Sequence, residues 1–261
     1  MSFLDSLVQR LGAWLLAPKL RYSRAGYQLR ALFQPLHGED VIDAAVMLLA
    51  VNGVRGDVVE FGVFQGRSLQ HLWFSHRWFE HLIRDEVRPI LRGADPEPLT
   101  RHFWGYDSFE GLPAHDEPVA GQPKWIAQGA FAAPLAFVER GLRKARIPES
   151  AVTLVPGWYE DSLAPGTDPH PARVALAHID CDLYSSTAHC LEFLAPRLVD
   201  GAIVIFDDWW LHRGHPDQGE QRAFAEFRAV HPELSFTELA RSTTVSFLVH
   251  RRDADGARDG A

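Results

Sequence analysis

Short runs of apolar, often β-branched residues alternate along the chain with longer segments in which apolar residues recur at helical spacing. The runs cover residues 57–61, 102–106, 152–155, 174–179 and 202–206. Each run ends at a glycine, an aspartate or a proline, which is the boundary expected of a strand. The last two runs are apolar almost throughout, as strands are when both faces of a parallel sheet are covered.

One helix is predicted over residues 39–51, before the first strand, and a second from Gly66 through Trp78, after it; further helices fill the gaps between the later strands. Strands that alternate with helices predict an α/β fold, in which a mostly parallel sheet carries helices on both faces and binds ligands outside the carboxyl ends of its strands. Residues 235–239 and 244–249 predict two more strands. They form an antiparallel hairpin at the edge of the sheet, which then has seven strands.

The chain divides into a long central domain and two flanking segments. Residues 39–251 are expected to form one domain, and the polar residues 252–261 a frayed tail. Residues 1–38 are expected to form a helical arm, because the apolar residues at its start recur at helical spacing: Leu4, Leu7, Val8, Leu11 and Leu15. We expect the apolar face of this arm to pack on the core or on a second copy of the chain.

The net charge and the cysteine content indicate which partners and which cellular compartment to expect. The net charge of -8 would repel a phosphate backbone, which argues against nucleic acid as a partner. Cys181 and Cys190 are the only cysteines, and no secretory signal or membrane-spanning run is visible. We therefore expect a cytoplasmic protein with free thiols.

The first candidate site lies at the end of the first two strands. Glu60 and Gly62 stand in a strand-to-helix turn that lacks the G-x-G-x-x-G spacing of a pyrophosphate site. An acid in such a turn suits a positively charged ligand, such as the ammonium and sulfonium groups of S-adenosylmethionine. Asp107 ends the second strand, where a carboxylate can accept hydrogen bonds from both ribose hydroxyls of a nucleoside. The alternatives are an ordinary turn for Glu60 and a helix cap for Asp107.

The second candidate site is acidic. Asp180 and Asp182 follow the fourth strand, and Asp207 and Asp208 follow the fifth. Because neighbouring parallel strands lie about 5 Å apart, these carboxylates can converge and would then repel each other unless a cation such as Mg²⁺ joined them. An extended backbone would turn Asp182 to the opposite face. The alternative to a metal site is that all four acids cap helices or lie on the surface.

The histidines carry less information. His178 lies inside an apolar strand, which favours a core imidazole over a catalytic one. His115, His212 and His215 lie on predicted loops near the strand ends, and they stay open as candidates.

The motifs together resemble those of the macrocin O-methyltransferase family, class I methyltransferases with a Rossmann-like fold that modify sugars of macrolides and related natural products. The resemblance rests on residues 58–63, 106–113, 156–163, 179–187 and 207–208. It implies an S-adenosylmethionine site and a Mg²⁺ site. The implied cofactor residues are Glu60, Gly62, Ser68, Asp107, Ser108 and Trp158, and the implied metal ligands are Asp180, Asp207 and Asp208.

These patterns predict an S-adenosylmethionine-dependent, Mg²⁺-dependent O-methyltransferase whose acceptor is a hydroxyl of a sugar or glycosylated natural product. Asp180 is the candidate catalytic residue, as metal ligand and proton acceptor. The sequence departs from the family at residues 64–68, and residues 124–128 lack the lid histidine that relatives carry. Two alternatives stay open: a glycosyltransferase that uses Asp180-Cys181-Asp182 as a D-x-D motif, and a non-catalytic nucleotide-binding subunit.

Overall fold

The computed structural model describes residues 41–82, 101–114 and 126–252. The predicted arm 1–38 and nearly all of the predicted tail therefore lie outside the described residues. The described helices are α1 (Val41–Val51), α2 (Arg67–Leu82), α3 (Leu135–Lys144), α4 (Tyr159–Ser162), α5 (Tyr184–Leu194) and α6 (Gly219–Val230), and single helical turns lie at Glu149–Ala151 and Leu211–Gly214. The strands are β1 (Asp57–Phe61), β2 (Phe103–Asp107), β3 (Val152–Pro156), β4 (Val174–Ile179), β5 (Leu198–Phe206), β6 (Leu234–Arg241) and β7 (Val245–Arg251).

The seven strands form one sheet in the order β3-β2-β1-β4-β5-β7-β6. The neighbouring strands from β3 to β5 pair in parallel, and β7 runs antiparallel to both β5 and β6. The predicted seven-stranded α/β sheet with an antiparallel C-terminal hairpin is thus confirmed. None of the described helices is long and apolar enough to cross a membrane.

Each face of the sheet carries its own apolar core. One core joins β1, β4 and β5 to α5 and α6, through residues such as Leu191, Leu194 and Phe224. The other joins the same strands to α1, α2 and α3, through residues such as Leu49 and Leu72. Both faces are therefore covered, which is why β4 is buried along its whole length.

Strand β5 begins earlier than the sequence predicts. The apolar run starts at Ala202, whereas the strand starts at Leu198 and pairs there with Val174. A register shift follows Val174, and Gly201 has a φ of +78°. Asp200 and Gly201 interrupt the apolar pattern and belong to an irregular stretch of the strand, so the apolar run in the sequence does not reveal the start of the strand.

The candidate site lies where the sheet reverses its winding, between β1 and β4. The carboxyl ends of these strands meet at Gly62, whose φ is +87°. A Cβ atom on Gly62 would lie 1.6 Å from the carbonyl oxygen of Asp180. Only glycine lets the two backbones approach so closely, so Gly62 holds the two sides of the site together.

We expect Gly62→Ala to destabilise the fold by more than about 3 kcal/mol, because relieving a backbone overlap requires the strand ends to separate. Gly53→Ala is the matched control, since Gly53 also has a positive φ of +65° but no heavy atom within 4 Å of a built Cβ. The control should cost about 1–2 kcal/mol from backbone strain alone. Urea unfolding of both variants measures the difference, and equal losses would show that the contact with Asp180 is unimportant.

Candidate active site

A cavity of about 410 Å³ opens at the carboxyl ends of the five parallel strands. Most of the predicted site residues line it: Gly62, Asp107, Ser108, Trp158, Asp180, Asp207 and Asp208. Glu60 and Ser68 do not line it. The strand-end placement inferred from sequence therefore brings the two candidate sites into one cavity.

Asp107 shapes the loop that follows β1. Its Oδ2 accepts hydrogen bonds from the backbone N–H groups of Val63 and Phe64, both at 2.8 Å. Its Oδ1 accepts one from the N–H of Phe109 at 2.6 Å. A carboxylate has about four lone-pair positions, so about one is left for a ligand. The contact with ribose hydroxyls stays a prediction, and the structure adds an anchoring role.

Glu60 is fully buried and contacts a histidine instead of the cavity. It pairs with His178 across β1 and β4, and its Oε1 lies 3.1 Å from His178 Nδ1. On the other side of the ring, His178 Nε2 lies 3.9 Å from Asp207 Oδ1. Burial lowers the pKa of His178, but the carboxylates of Asp207 and Glu60 outweigh it and hold the pKa well above its usual value. The direct contact between Glu60 and a cofactor stays a prediction, without support from this geometry.

The three predicted metal ligands converge. Carboxylate oxygens of Asp180, Asp207 and Asp208 all lie within 4.8 Å of one another. The cause is the parallel register of β4 and β5, in which Ile179 pairs with Phe206, so that the residues after them are neighbours. Carboxylate oxygens in such a group are the ligands that Mg²⁺ prefers. The donor set fits a divalent cation.

The pKa values of these acids show that bringing them together under burial disfavours their ionised forms. Burial raises the pKa of Asp180 to about 7, with His178 lowering it and the neighbouring acids raising it further. Burial, followed by the charges of Asp182 and Asp180, raises the pKa of Asp208 to about 8. Without a cation the cluster therefore retains protons near neutral pH, and a bound dication would favour the ionised form.

Asp182 lies on the cavity wall, so the expectation that it faces the opposite way is wrong. Its φ is +60°, which breaks the alternation of an extended strand. Its backbone N–H donates to Asp208 Oδ2 at 2.8 Å, and its side chain is buried and lines the cavity. Burial and the charge of Asp207 raise its pKa to about 6.

Sequence reasoning missed Glu220, in the first turn of α6. Its side chain is 1% exposed, and neither carboxylate oxygen has a hydrogen-bond partner among the described residues. Burial, then the charge of Asp208, raises its pKa well above the ordinary value. An acid in the first turn of a helix is common, so the sequence offered no signal that this one is buried beside the acidic cluster.

Of the histidines that stayed open as candidates, His212 and His215 do not line the cavity. His212 is buried and packs against Gly219, and His215 is exposed on its loop. His115 lies outside the described residues. His189 lines the cavity instead, together with Ser185 and Ser186 of α5.

The segment 126–131 connects the loops around the cavity. Ile126 packs with Leu112 and Leu183, which follow β2 and β4. Phe131 lies edge-on to Phe64, at 5.6 Å between ring centroids, and both line the cavity. The segment thus contacts the loops after three different strands.

We expect the metal-free protein to lose stability as the pH rises from the ordinary carboxyl value of 3.8 towards about 8. In this window the native state retains protons on Asp182 and Asp208 that the unfolded chain releases. The free energy of unfolding then falls by about 1.4 kcal/mol per pH unit for each retained proton. Urea unfolding in chelator across this window measures the slope.

Asp208→Asn should flatten that slope, and Asp217→Asn is the control, because the Asp217 side chain is 87% exposed. Added Mg²⁺ should restore stability at the upper end of the window. A wild-type stability that rises with pH there would contradict the buried, raised acids.

Comparison with known proteins identifies the family of this chain. A model of the macrocin O-methyltransferase (TylF) family matches residues 90–235, more than half of the chain. One relative is the 8-demethyl-8-(2,3-dimethoxy-alpha-L-rhamnosyl)-tetracenomycin-C 4'-O-methyltransferase of Streptomyces olivaceus, 32% identical over 65% of this chain and 59% of that protein. Another is the demethyldecarbamoylnovobiocin O-methyltransferase of Streptomyces niveus, 31% identical over 61% of this chain and 55% of that protein. The matches thus span little more than half the length of these relatives.

Solved structures share the fold. The O-methyltransferase NovP superposes with a TM-score of 0.57 and 26% identity, over 80% of this chain and 78% of that one. The calicheamicin methyltransferase CalS11 gives a TM-score of 0.55 at 24% identity, over 95% and 93% of the two chains, which shows the fold alone. Because the family model matches more than half of the chain, this chain belongs to the macrocin O-methyltransferase family.

Proposed function

We propose that this protein is an S-adenosylmethionine-dependent O-methyltransferase that methylates a hydroxyl of a sugar-bearing natural product with the help of Mg²⁺. The observation that carries the proposal is the convergence of Asp180, Asp207 and Asp208 in the same cavity as the loops that end β1 to β3. One cavity can therefore hold a nucleoside cofactor beside an acceptor hydroxyl. Family membership and the names of the relatives support the same activity.

The cofactor is expected on the β1–β3 side of the cavity. Ser108 and Trp158 line this side, and Trp158 offers a flat apolar surface to an adenine ring. Asp107 already binds the backbone N–H groups of Val63 and Phe64. These are the donors that a phosphate-binding loop would offer, so the arrangement suits a ligand without phosphates.

The acids are expected on the acceptor side. Asp180, Asp207 and Asp208 would hold Mg²⁺, which supplies Lewis-acid polarisation of the acceptor hydroxyl when bound. The hydroxyl oxygen bonds to the methyl carbon as the carbon–sulfur bond breaks, and Asp180 accepts the hydroxyl proton. Closure of the cavity wall by the segment at Ile126 would help to keep water away from the methyl group.

The glycosyltransferase alternative has one observation in its favour, since Asp180 and Asp182 of the D-x-D motif both line the cavity. The loop after β1 argues against a glycosyltransferase, because its N–H groups at Val63 and Phe64 already donate to Asp107.

We also propose that the protein is cytoplasmic. The buried free thiols of Cys181 and Cys190 support this.

Wild-type protein should bind S-adenosylhomocysteine and should not bind a nucleoside diphosphate sugar. Asp107→Ala should weaken S-adenosylhomocysteine binding at least about tenfold, because three backbone N–H groups of the cofactor loops lose their acceptor. Isothermal titration calorimetry measures both ligands, with the exposed Asp217→Ala as control. Binding of the nucleotide sugar with no response to S-adenosylhomocysteine would favour the glycosyltransferase.

Chelation should abolish methyl transfer and leave the affinity for S-adenosylhomocysteine within about twofold, because the acids that hold the metal lie on the acceptor side. The assay follows transfer from radiolabelled S-adenosylmethionine to a panel of macrolide and aryl glycosides, with chelator and then Mg²⁺. Asp207→Asn should behave like chelated wild type, with a loss of about a hundredfold or more. Full turnover after exhaustive chelation would contradict the metal's role.

A further inference from the structure

Helix α5 lines the cavity with three polar residues, of which Ser186 is buried. Ser185 and His189 are exposed, are separated by one helical turn and both line the cavity wall. Most of the other residues of this helix are buried in the core: Ser186, Thr187, Cys190, Leu191, Phe193 and Leu194. The face formed by Ser185 and His189 is therefore the part of the helix that a cavity ligand can meet.

The imidazole of His189 has a fixed tautomer when neutral. Its Nδ1 lies 2.8 Å from the backbone carbonyl oxygen of Ser185. A carbonyl oxygen can only accept, so Nδ1 carries the proton and the single lone pair lies on Nε2. Among the described residues, nothing donates a hydrogen bond to Nε2. In that tautomer the side chain presents a hydrogen-bond acceptor of known direction.

This acceptor differs in kind from the acids of the cavity. Asp180, Asp207 and Asp208 converge on one point and suit a cation. A neutral imidazole nitrogen beside a serine hydroxyl carries no net charge, and its lone pair can accept from one hydroxyl while the serine pairs with another. A polyol has neighbouring hydroxyls that donate and accept in this way. An acceptor molecule with a single hydroxyl would leave the Ser185–His189 face without use.

We propose that Ser185 and His189 form a recognition subsite for the sugar of the acceptor, binding a hydroxyl other than the one that is methylated. The subsite rests on the proposed methyltransferase function and adds where the sugar is held. His189 is a specificity-determining residue here, and its loss is expected to act on binding of the acceptor and not on the transfer step.

The variants separate hydrogen bonding from ring volume. His189→Phe keeps a ring and removes the acceptor, whereas His189→Gln retains an acceptor oxygen at about the reach of Nε2. His250→Phe is the control, since His250 lies on β7, is exposed and does not line the cavity. One net hydrogen bond corresponds to about a threefold to tenfold change in affinity.

The experiment measures binding of methyl α-L-rhamnopyranoside to the full chain with S-adenosylhomocysteine and Mg²⁺ present, by NMR titration of protein labelled with ¹⁵N at histidine. The sugar should shift the Nε2 signal of His189, and His189→Phe should weaken its binding about threefold to tenfold. His189→Gln and His250→Phe should stay within about twofold of wild type. For any glycoside of the panel that is methylated, KM should rise in His189→Phe and kcat should change less than about threefold.

An unchanged Nε2 signal, or equal affinity of wild type and His189→Phe, would overturn the subsite. A large fall in kcat of His189→Phe at unchanged KM would also overturn the subsite, because it would indicate that His189 accepts a proton in the transfer step. Wild-type protein that binds S-adenosylhomocysteine but not the rhamnoside overturns this inference and leaves the methyltransferase. Protein that binds neither overturns the proposed function itself.

Discussion

The repulsion between carboxylates at adjacent strand ends is the constraint around which this site is organised. Parallel pairing of β4 with β5 places Asp180 beside Asp207 whatever their side chains prefer. The sheet is stabilised by burial of two apolar cores, and that burial holds the acids together at an electrostatic cost. Because of this cost, the pKa values of Asp180 and Asp208 are raised, and both carboxyl groups keep their protons to a higher pH. A cation removes the need for those protons.

The features that could be predicted from sequence are those that depend on the direction of a strand and on the place where it ends. The apolar runs of β4 and β5 indicated a covered parallel sheet, and the acids after them had to meet at one edge because parallel strands end together. The position of Gly62 in a turn could also be predicted. Its closeness to the carbonyl of Asp180 could not, because that distance depends on how β1 and β4 are packed.

The features that could not be predicted depend on a single backbone angle or on contacts between distant elements. Asp182 lines the cavity because its φ is positive, and a non-glycine residue rarely adopts that conformation. Glu60 contacts His178 because of the register between two strands separated by more than a hundred residues in sequence. Glu220 approaches the acids from α6, and no local pattern marks a first-turn glutamate as buried.

The reversal of the sheet between β1 and β4 gives the cavity two halves with different chemistry. The loops after β1, β2 and β3 offer a carboxylate and aromatic surface, and the loops after β4 and β5 offer converging acids. The connections that cross the boundary include the backbone contact at Gly62 and the imidazole of His178 between Glu60 and Asp207. Methyl transfer requires the donor carbon and the acceptor oxygen to be aligned within a fraction of an ångström. Fixing the two halves to each other through the buried core is a physical means of meeting that requirement before either ligand arrives.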